Sequence, residues 1–85
     1  MLTIYTKPNC QACDMAKQFL NSKKIEYRSI DITRDATAKD FVIKAGHRSV
    51  PQIYQNGELF VEGGYVGLIQ LDDDELKQKL QVELA

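Results

Sequence analysis

The sequence predicts an α/β domain in which helices flank a four-stranded mixed sheet, in the order β-α-β-α-β-β-α. Three observations carry that expectation. Over residues 2–45, two β-prone runs alternate with two stretches of helical periodicity. Asn56-Gly57, the strongest short-range hairpin signal, sits between two further β-prone runs. Apolar residues spaced mostly four apart then close the chain, as on a helix packed against a sheet.

Taken in order, LTIYT (2–6) is apolar and β-branched and ends at Lys7-Pro8-Asn9, where Pro8 and Asn9 favour a turn. A helix over about residues 11–23 follows, with Cys13, Ala16 and Leu20 on one face and Asp14, Lys17 and Gln18 suited to solvent. IEYRSIDI (25–32) alternates and then turns more apolar, which predicts a second strand. Residues 35–45 place Ala38, Phe41, Val42 and Ala45 on one stripe, and Gly46 is a natural stop. PQIYQNGELFV reads as an antiparallel pair, broken by EGG. Leu68, Ile69, Leu76, Leu80 and Leu84 then recur at helical spacing. Asp72 to Asp74 before ELKQKLQ look like a fresh helix start, so this region is one kinked helix or two short ones. A right-handed crossover between the first two strands, an added hairpin and helices on both faces make this the thioredoxin-like architecture in minimal form.

The 85 residues, 44% hydrophobic and 27% charged, suit a single domain over 1–85 and are neither disordered nor collagen-like in composition. MLTIYTKPN lacks the pattern of a signal peptide, and no apolar run nears the roughly 20 residues of a membrane span, so a cytoplasmic, reducing compartment is expected. A net charge of −1 gives no support for nucleic acid or a membrane surface as partner. The charge is uneven along the chain. Residues 1–50 hold nine Lys and Arg against five Asp and Glu, and residues 51–85 hold two against seven.

The chain has two cysteines, Cys10 and Cys13, at the mouth of the first helix. In a reducing compartment such a pair points to a working redox couple, with a structural cross-link and half of a metal site as the alternatives. A tetrahedral zinc site needs four ligands and the chain has one histidine, so no metal is expected. A thiol attacks disulfides as thiolate, and a free cysteine near pKa 8.5 is mostly protonated at neutral pH. Lowering Cys10 to a pKa of about 5 to 6 would need about 3 to 5 kcal/mol of preference for the anion. A helix N-terminus contributes about 0.3 to 2 kcal/mol. Lys7, three residues upstream, and hydrogen bonding supply the remainder. Cys13 shares the inward stripe and Cys10 precedes the helix, so Cys10 is the attacking nucleophile and Cys13 the resolving thiol. His47 reads as a surface loop residue after Gly46, and Asp72 to Asp74 as a solvated helix start. Phe60 and Tyr65 are open between packing and groove.

IYTKPNCQACDMAKQFL, SVPQIYQNGE and GGY, in this order over residues 2 to about 70, resemble the glutaredoxins. The resemblance implies a glutathione-linked thiol–disulfide oxidoreductase that reduces protein disulfides or glutathione mixed disulfides by a dithiol mechanism. It implies Cys10 and Cys13 as the redox pair, and Lys7 as the cation near the thiolate and the glutathione carboxylate. Val50 would pair its backbone with the cysteinyl part of glutathione, and Pro51 would be cis beside the site. Gln11 would line the groove, and beyond Gly64 the backbone N–H groups of Tyr65 and Val66 would bind the γ-glutamyl carboxylate. A monomer is expected, with disulfide-containing proteins as partners.

Three features depart from the family's usual pattern. Gln11 and Ala12 replace a proline and an aromatic residue between the cysteines, which removes a wall of the groove. Tyr65, Val66 and Gly67 stand where acidic residues usually hold the γ-glutamyl ammonium. NGELFVEGG is longer than the usual hairpin. These departures resemble a bacterial and phage subset that serves ribonucleotide reductase, some of whose members draw electrons from thioredoxin reductase. The alternative of another class is a binding module, with an iron–sulfur cluster bridged between two protomers by Cys10 and glutathione.

Overall fold

The structure, a computed structural model, describes residues 1–80. The expected helical position of Leu84 lies outside them. Eight elements follow one another: β1 (Leu2–Thr6), α1 (Gln11–Ser22), β2 (Tyr27–Asp31), α2 (Ala36–Lys44), β3 (Gln52–Gln55), β4 (Glu58–Leu59), α3 (Gly64–Ile69) and α4 (Asp73–Leu80). The four strands form one sheet in the order β2-β1-β3-β4. β1 pairs parallel with β2, Leu2 opposite Tyr27 through Thr6 opposite Asp31, and antiparallel with β3, Ile4 opposite Ile53. The mixed α/β architecture is the one expected.

The pleat of β1 sorts its side chains. Leu2, Ile4 and Thr6 are buried on one face, where Leu2 and Ile4 meet Ala16 and Leu20 of α1, Ile53, Leu68 and Leu76. Each fully buried leucine or isoleucine here contributes about 1.5 to 3 kcal/mol. The opposite face is aromatic. Tyr5 and Tyr54 stack with Phe41 of α2 at centroid distances of 5.3 and 5.0 Å, so helices cover both faces of the sheet. Burial, with lesser help from Tyr54 and Asp35, pushes the Tyr5 phenol above its ordinary pKa of 10.0.

Several boundaries shift for local reasons. α1 ends at Ser22 because Lys24 adopts φ 58° and closes a Schellman motif: its N–H bonds the Asn21 carbonyl and the Ile25 N–H bonds the Leu20 carbonyl at 2.9 Å. Ile25 is therefore part of that cap, and β2 begins at Tyr27. Asp35 lies outside α2 as its N-cap, accepting the Ala38 N–H at 3.0 Å. Gly46 ends α2 in a second Schellman motif, with the His47 N–H on the Val42 carbonyl. Asn56 at φ 53° and Gly57 at φ 83° give the type I′ hairpin that Asn-Gly favours. β4 keeps only Glu58–Leu59, although the Phe60 N–H still bonds the Ile53 carbonyl at 2.8 Å.

The single closing helix of the expected order is replaced by two, so the order ends α-α. Asp72 accepts the Glu75 N–H at 2.8 Å while Glu75 accepts the Asp72 N–H at 3.2 Å, a reciprocal capping box that starts α4 anew. Leu68 and Leu76 are buried, but Ile69, expected on the same stripe, is exposed. Lys23 at the end of α1 reaches Asp73 at 2.8 Å, and Lys79 donates to the Phe60 carbonyl at 3.1 Å. No helix among the described residues is long and apolar enough to cross a membrane.

Candidate active site

β1 ends against a turn in which Asn9 takes φ 57°, a value its short amide side chain tolerates. That turn sets Cys10 at the N-cap of α1 with extended backbone, φ −114° and ψ 103°. The Cys10 sulfur accepts the Cys13 N–H at 3.2 Å, and the Cys10 carbonyl accepts the Asp14 N–H at 3.1 Å. The two cysteines are joined as a disulfide across a Cα–Cα distance of 5.2 Å. Cys13 is fully buried and Cys10 is partly exposed. An N–H donor and a helix N-terminus aimed at this position would favour thiolate over thiol in a sulfur held there after reduction.

The second wall comes from the α2–β3 connection. The Val50–Pro51 peptide bond is cis, and the Val50 carbonyl lies 3.8 Å from the Cys10 sulfur. Buried Gln52 donates from Nε2 to the Ser49 carbonyl at 2.9 Å, tying the connection to the start of β3. Pro51 packs against the start of α3. A Cβ on Gly64, which has φ 58°, would lie 2.6 Å from the Pro51 carbonyl oxygen, so this close approach requires glycine. Val50, Pro51, Gly64, Tyr65 and Val66, separated by up to 16 positions, thereby share one cleft of about 650 Å3.

Lys7 and Gln11 stand apart from that group. Lys7 lines a smaller cleft of about 210 Å3 on the other side of Val50, and Gln11, exposed at the first residue of α1, lines neither. The larger cleft also has walls that motif reading passes over: Ala12, His47, Arg48 and Glu62. Their signal is proximity to a motif, since His47 and Arg48 lead into Ser49-Val50-Pro51 and Glu62 precedes Gly63-Gly64. His47 is a loop residue after Gly46, but its ring is half-buried, with Nε2 2.6 Å from the Tyr54 hydroxyl. Phe60 resolves to core packing at 4% exposure, whereas Tyr65 both lines the cleft and packs on the core. Among the described residues no three His, Cys, Asp or Glu side chains are placed to hold a metal ion.

The arrangement is an accessible sulfur at a helix mouth, a shielded second sulfur one turn on, and a backbone edge beside the first. Residues 2–60 match the glutaredoxin family model. Among curated proteins, Gene 56 protein of Mycobacterium phage D29 is 46% identical over 55 residues, covering 61% of this chain and 59% of that protein. The match thus spans less than two thirds of that relative. Glutaredoxin 3 of Escherichia coli is 36% identical over 70 residues, 81% of this chain and 82% of its own length. The glutaredoxin-like protein NrdH of Lactococcus lactis is 33% identical over 60 residues, 71% and 83% of the two chains. Among solved structures, a buckwheat glutaredoxin–glutathione complex superposes with a TM-score of 0.75 at 22% identity, covering 94% of this chain and 76% of that one, a likeness of fold. With residues 2–60 of its 85 matched by the family model, the chain belongs to the glutaredoxin family.

Proposed function

We propose that this protein is a dithiol oxidoreductase that reduces protein disulfides and glutathione mixed disulfides and is recycled by glutathione. The observation that carries this reading is the unequal pair: Cys10 partly exposed at the N-cap of α1, Cys13 fully buried with its N–H on the Cys10 sulfur. The Cys10 thiolate attacks one sulfur of a substrate disulfide, forms a mixed disulfide and expels the other sulfur as thiolate. Cys13 loses its proton to solvent and attacks the Cys10 sulfur. The substrate's second thiolate leaves and takes up a proton, and Cys10–Cys13 carries the oxidation. Two glutathione molecules reverse this, the first forming a mixed disulfide at Cys10 and freeing Cys13, the second leaving as oxidised glutathione.

Lys7 is the cation for the thiolate and the glutathione carboxylate, and Val50, Pro51, Gly64, Tyr65 and Val66 form the groove. The likeness to glutaredoxin 3 supports glutathione as reductant. We assign a monomer in a reducing, cytoplasmic compartment, with no metal. A second reading, recycling by thioredoxin reductase in the service of ribonucleotide reductase, is favoured by one observation: Tyr65, Val66 and Gly67 offer no carboxylate to a γ-glutamyl ammonium. NADPH consumption measured once with glutathione and its reductase, and once with thioredoxin reductase, decides between them. Turnover only in the second would overturn the glutathione assignment. Cys13→Ser is expected to block protein disulfide reduction while keeping part of the activity on glutathione mixed disulfides. Equal loss on both substrates would refute the division of roles.

A further inference from the structure

Val50 lines two clefts, and they differ in charge. The larger has one carboxylate, Glu62, and one cation, Arg48, among its walls, and it shares His47, Arg48, Ser49 and Val50 with the smaller. The smaller, about 210 Å3, has an apolar floor of Ile32, Val42 and Ile43 and a rim bearing Lys7, Lys39 and Arg48. No carboxylate lines it. The ion pairs among the described residues use Lys23, Arg34 and Lys44, and none involves Lys7, Lys39 or Arg48. Ile43 is 59% exposed at the cleft floor, an apolar surface for the methylene stems of incoming side chains. Three of the nine cations of residues 1–50 thus converge on a cleft that includes Val50, and Lys7 and Lys39 line that cleft without lining the larger one, so the charge around Val50 is uneven.

We propose that this cationic cleft docks an acidic stretch of a protein disulfide substrate, and that it reads carboxylates on one flank only of the cysteine that Cys10 attacks. The proposal rests on the thiol–disulfide exchange reading above and adds the class of partner. One-sidedness follows from placement. The segment His47 to Val50 lines both clefts and the Val50 carbonyl is 3.8 Å from the Cys10 sulfur, while Lys7 and Lys39 line only the smaller cleft and Glu62 only the larger. A chain crossing Val50 therefore has one flank over Lys7 and Lys39 and the other over the groove that holds Glu62. Three rim cations exceed what one carboxylate neutralises, which favours a run of acidic residues over a single terminal carboxylate. Charges gathered in a cleft concentrate a complementary partner and raise its association rate, and salt weakens this.

The test uses the reduced full chain and three peptides. Each has one cysteine held as a mixed disulfide with thionitrobenzoate, and they carry three glutamates before the cysteine, three after it, or none. Cys10 attacks the peptide sulfur, one disulfide bond breaks as another forms, and the released coloured thiolate reports the rate. One acidic peptide is expected to react about tenfold faster than the neutral one at low ionic strength, and the other acidic peptide at close to the neutral rate. The advantage should fade by about 0.5 M salt. In Lys39→Glu the ratio of the favoured acidic peptide to the neutral peptide should fall to one or below, and taking the ratio within one variant cancels any change in thiol reactivity or folding. Equal rates for all three peptides, equal acceleration by both acidic ones, or an unchanged ratio in Lys39→Glu would each overturn the proposal alone. No release from any peptide would overturn the redox reading together with it.

Discussion

The starts of α1 and α4 use the same geometry for opposite ends. In each, the N-cap side chain accepts the N–H three residues on: the Cys10 sulfur from Cys13 at 3.2 Å, the Asp72 carboxylate from Glu75 at 2.8 Å. In α4 the bond is reciprocated, because Glu75 reaches back to the Asp72 N–H. Cys-x-x-Cys in α1 has the spacing of that capping box, but its third helical residue is Cys13, which is buried and joined to the cap atom itself. A sulfur is a weaker acceptor than a carboxylate, so α1 begins less firmly. The N–H groups and dipole of its first turn remain to stabilise a charge that appears only when Cys10 is reduced. One start is closed and structural, and the other is left open for chemistry.

Replacing the cap atom breaks the comparison most severely. Serine is among the preferred N-caps, so Cys10→Ser should leave α1 capped and the reduced fold intact while abolishing disulfide turnover. Cys10→Ala should abolish turnover and also cost about 0.5 kcal/mol, the low end for loss of a cap, because sulfur is the weaker acceptor. Denaturant unfolding of both reduced variants beside the wild type checks this. Equal destabilisation by serine and alanine would mean that the Cys10 side chain does no capping.

Local signals were the legible ones. Asn56-Gly57, Gly46 and the cysteine pair at a helix mouth each act through the backbone of their immediate neighbours, and each stands where sequence reading put it. Ile25 reads as strand by composition, but Lys24 at φ 58° defies that residue's own preference, held by the Ile25 N–H on the Leu20 carbonyl and by burial of Ile25 in the core. The two alternatives for the last helical region differ by one capping box, and Asp72 with Glu75 decides for two helices. The groove was half legible. Val50, Pro51, Gly64, Tyr65 and Val66 converge through a contact with no local signature, the seat of Gly64 against the Pro51 carbonyl. The same long-range arrangement sends Lys7 to a different cleft and admits His47, Arg48 and Glu62.

At the structural start, Asp72→Ala should cost about 1 kcal/mol and leave turnover unchanged, since α4 touches neither Cys10 nor the groove. A parallel loss of activity would show that the two helix starts are coupled. The C-termini offer a smaller contrast. Gly46 and Lys24 fill the same position of two Schellman motifs at φ 89° and 58°. Lys24→Gly relieves the left-handed strain but loosens the unfolded chain, and the balance should stabilise by about 0.5 to 1 kcal/mol. A drop in thermal midpoint for this variant would show that the lysine side chain holds more than its backbone costs.

The smallest effect lies where the two helices meet. Asp73, in the first turn of α4, is held below its ordinary pKa of 3.8, first by the hydrogen bond from Lys23 at the end of α1 and then by that residue's charge. A lowered folded-state pKa means that the unfolded chain binds the proton more readily. The pair's contribution is therefore fully present above the unfolded value and is lost as pH falls through the folded one. Both side chains are solvent-accessible, 35% and 65% exposed, so salt screens the pair and its effect is slight. Asp73→Asn should lower the thermal midpoint by a small, constant amount between about pH 5 and 7, and the gap to the wild type should close below about pH 4. Asp31 shares the direction of shift through its bonds from Thr33 but makes no link between helices. A gap that persists at low pH would place the role of Asp73 in its position at the helix start and leave the bridge to Lys23 without effect.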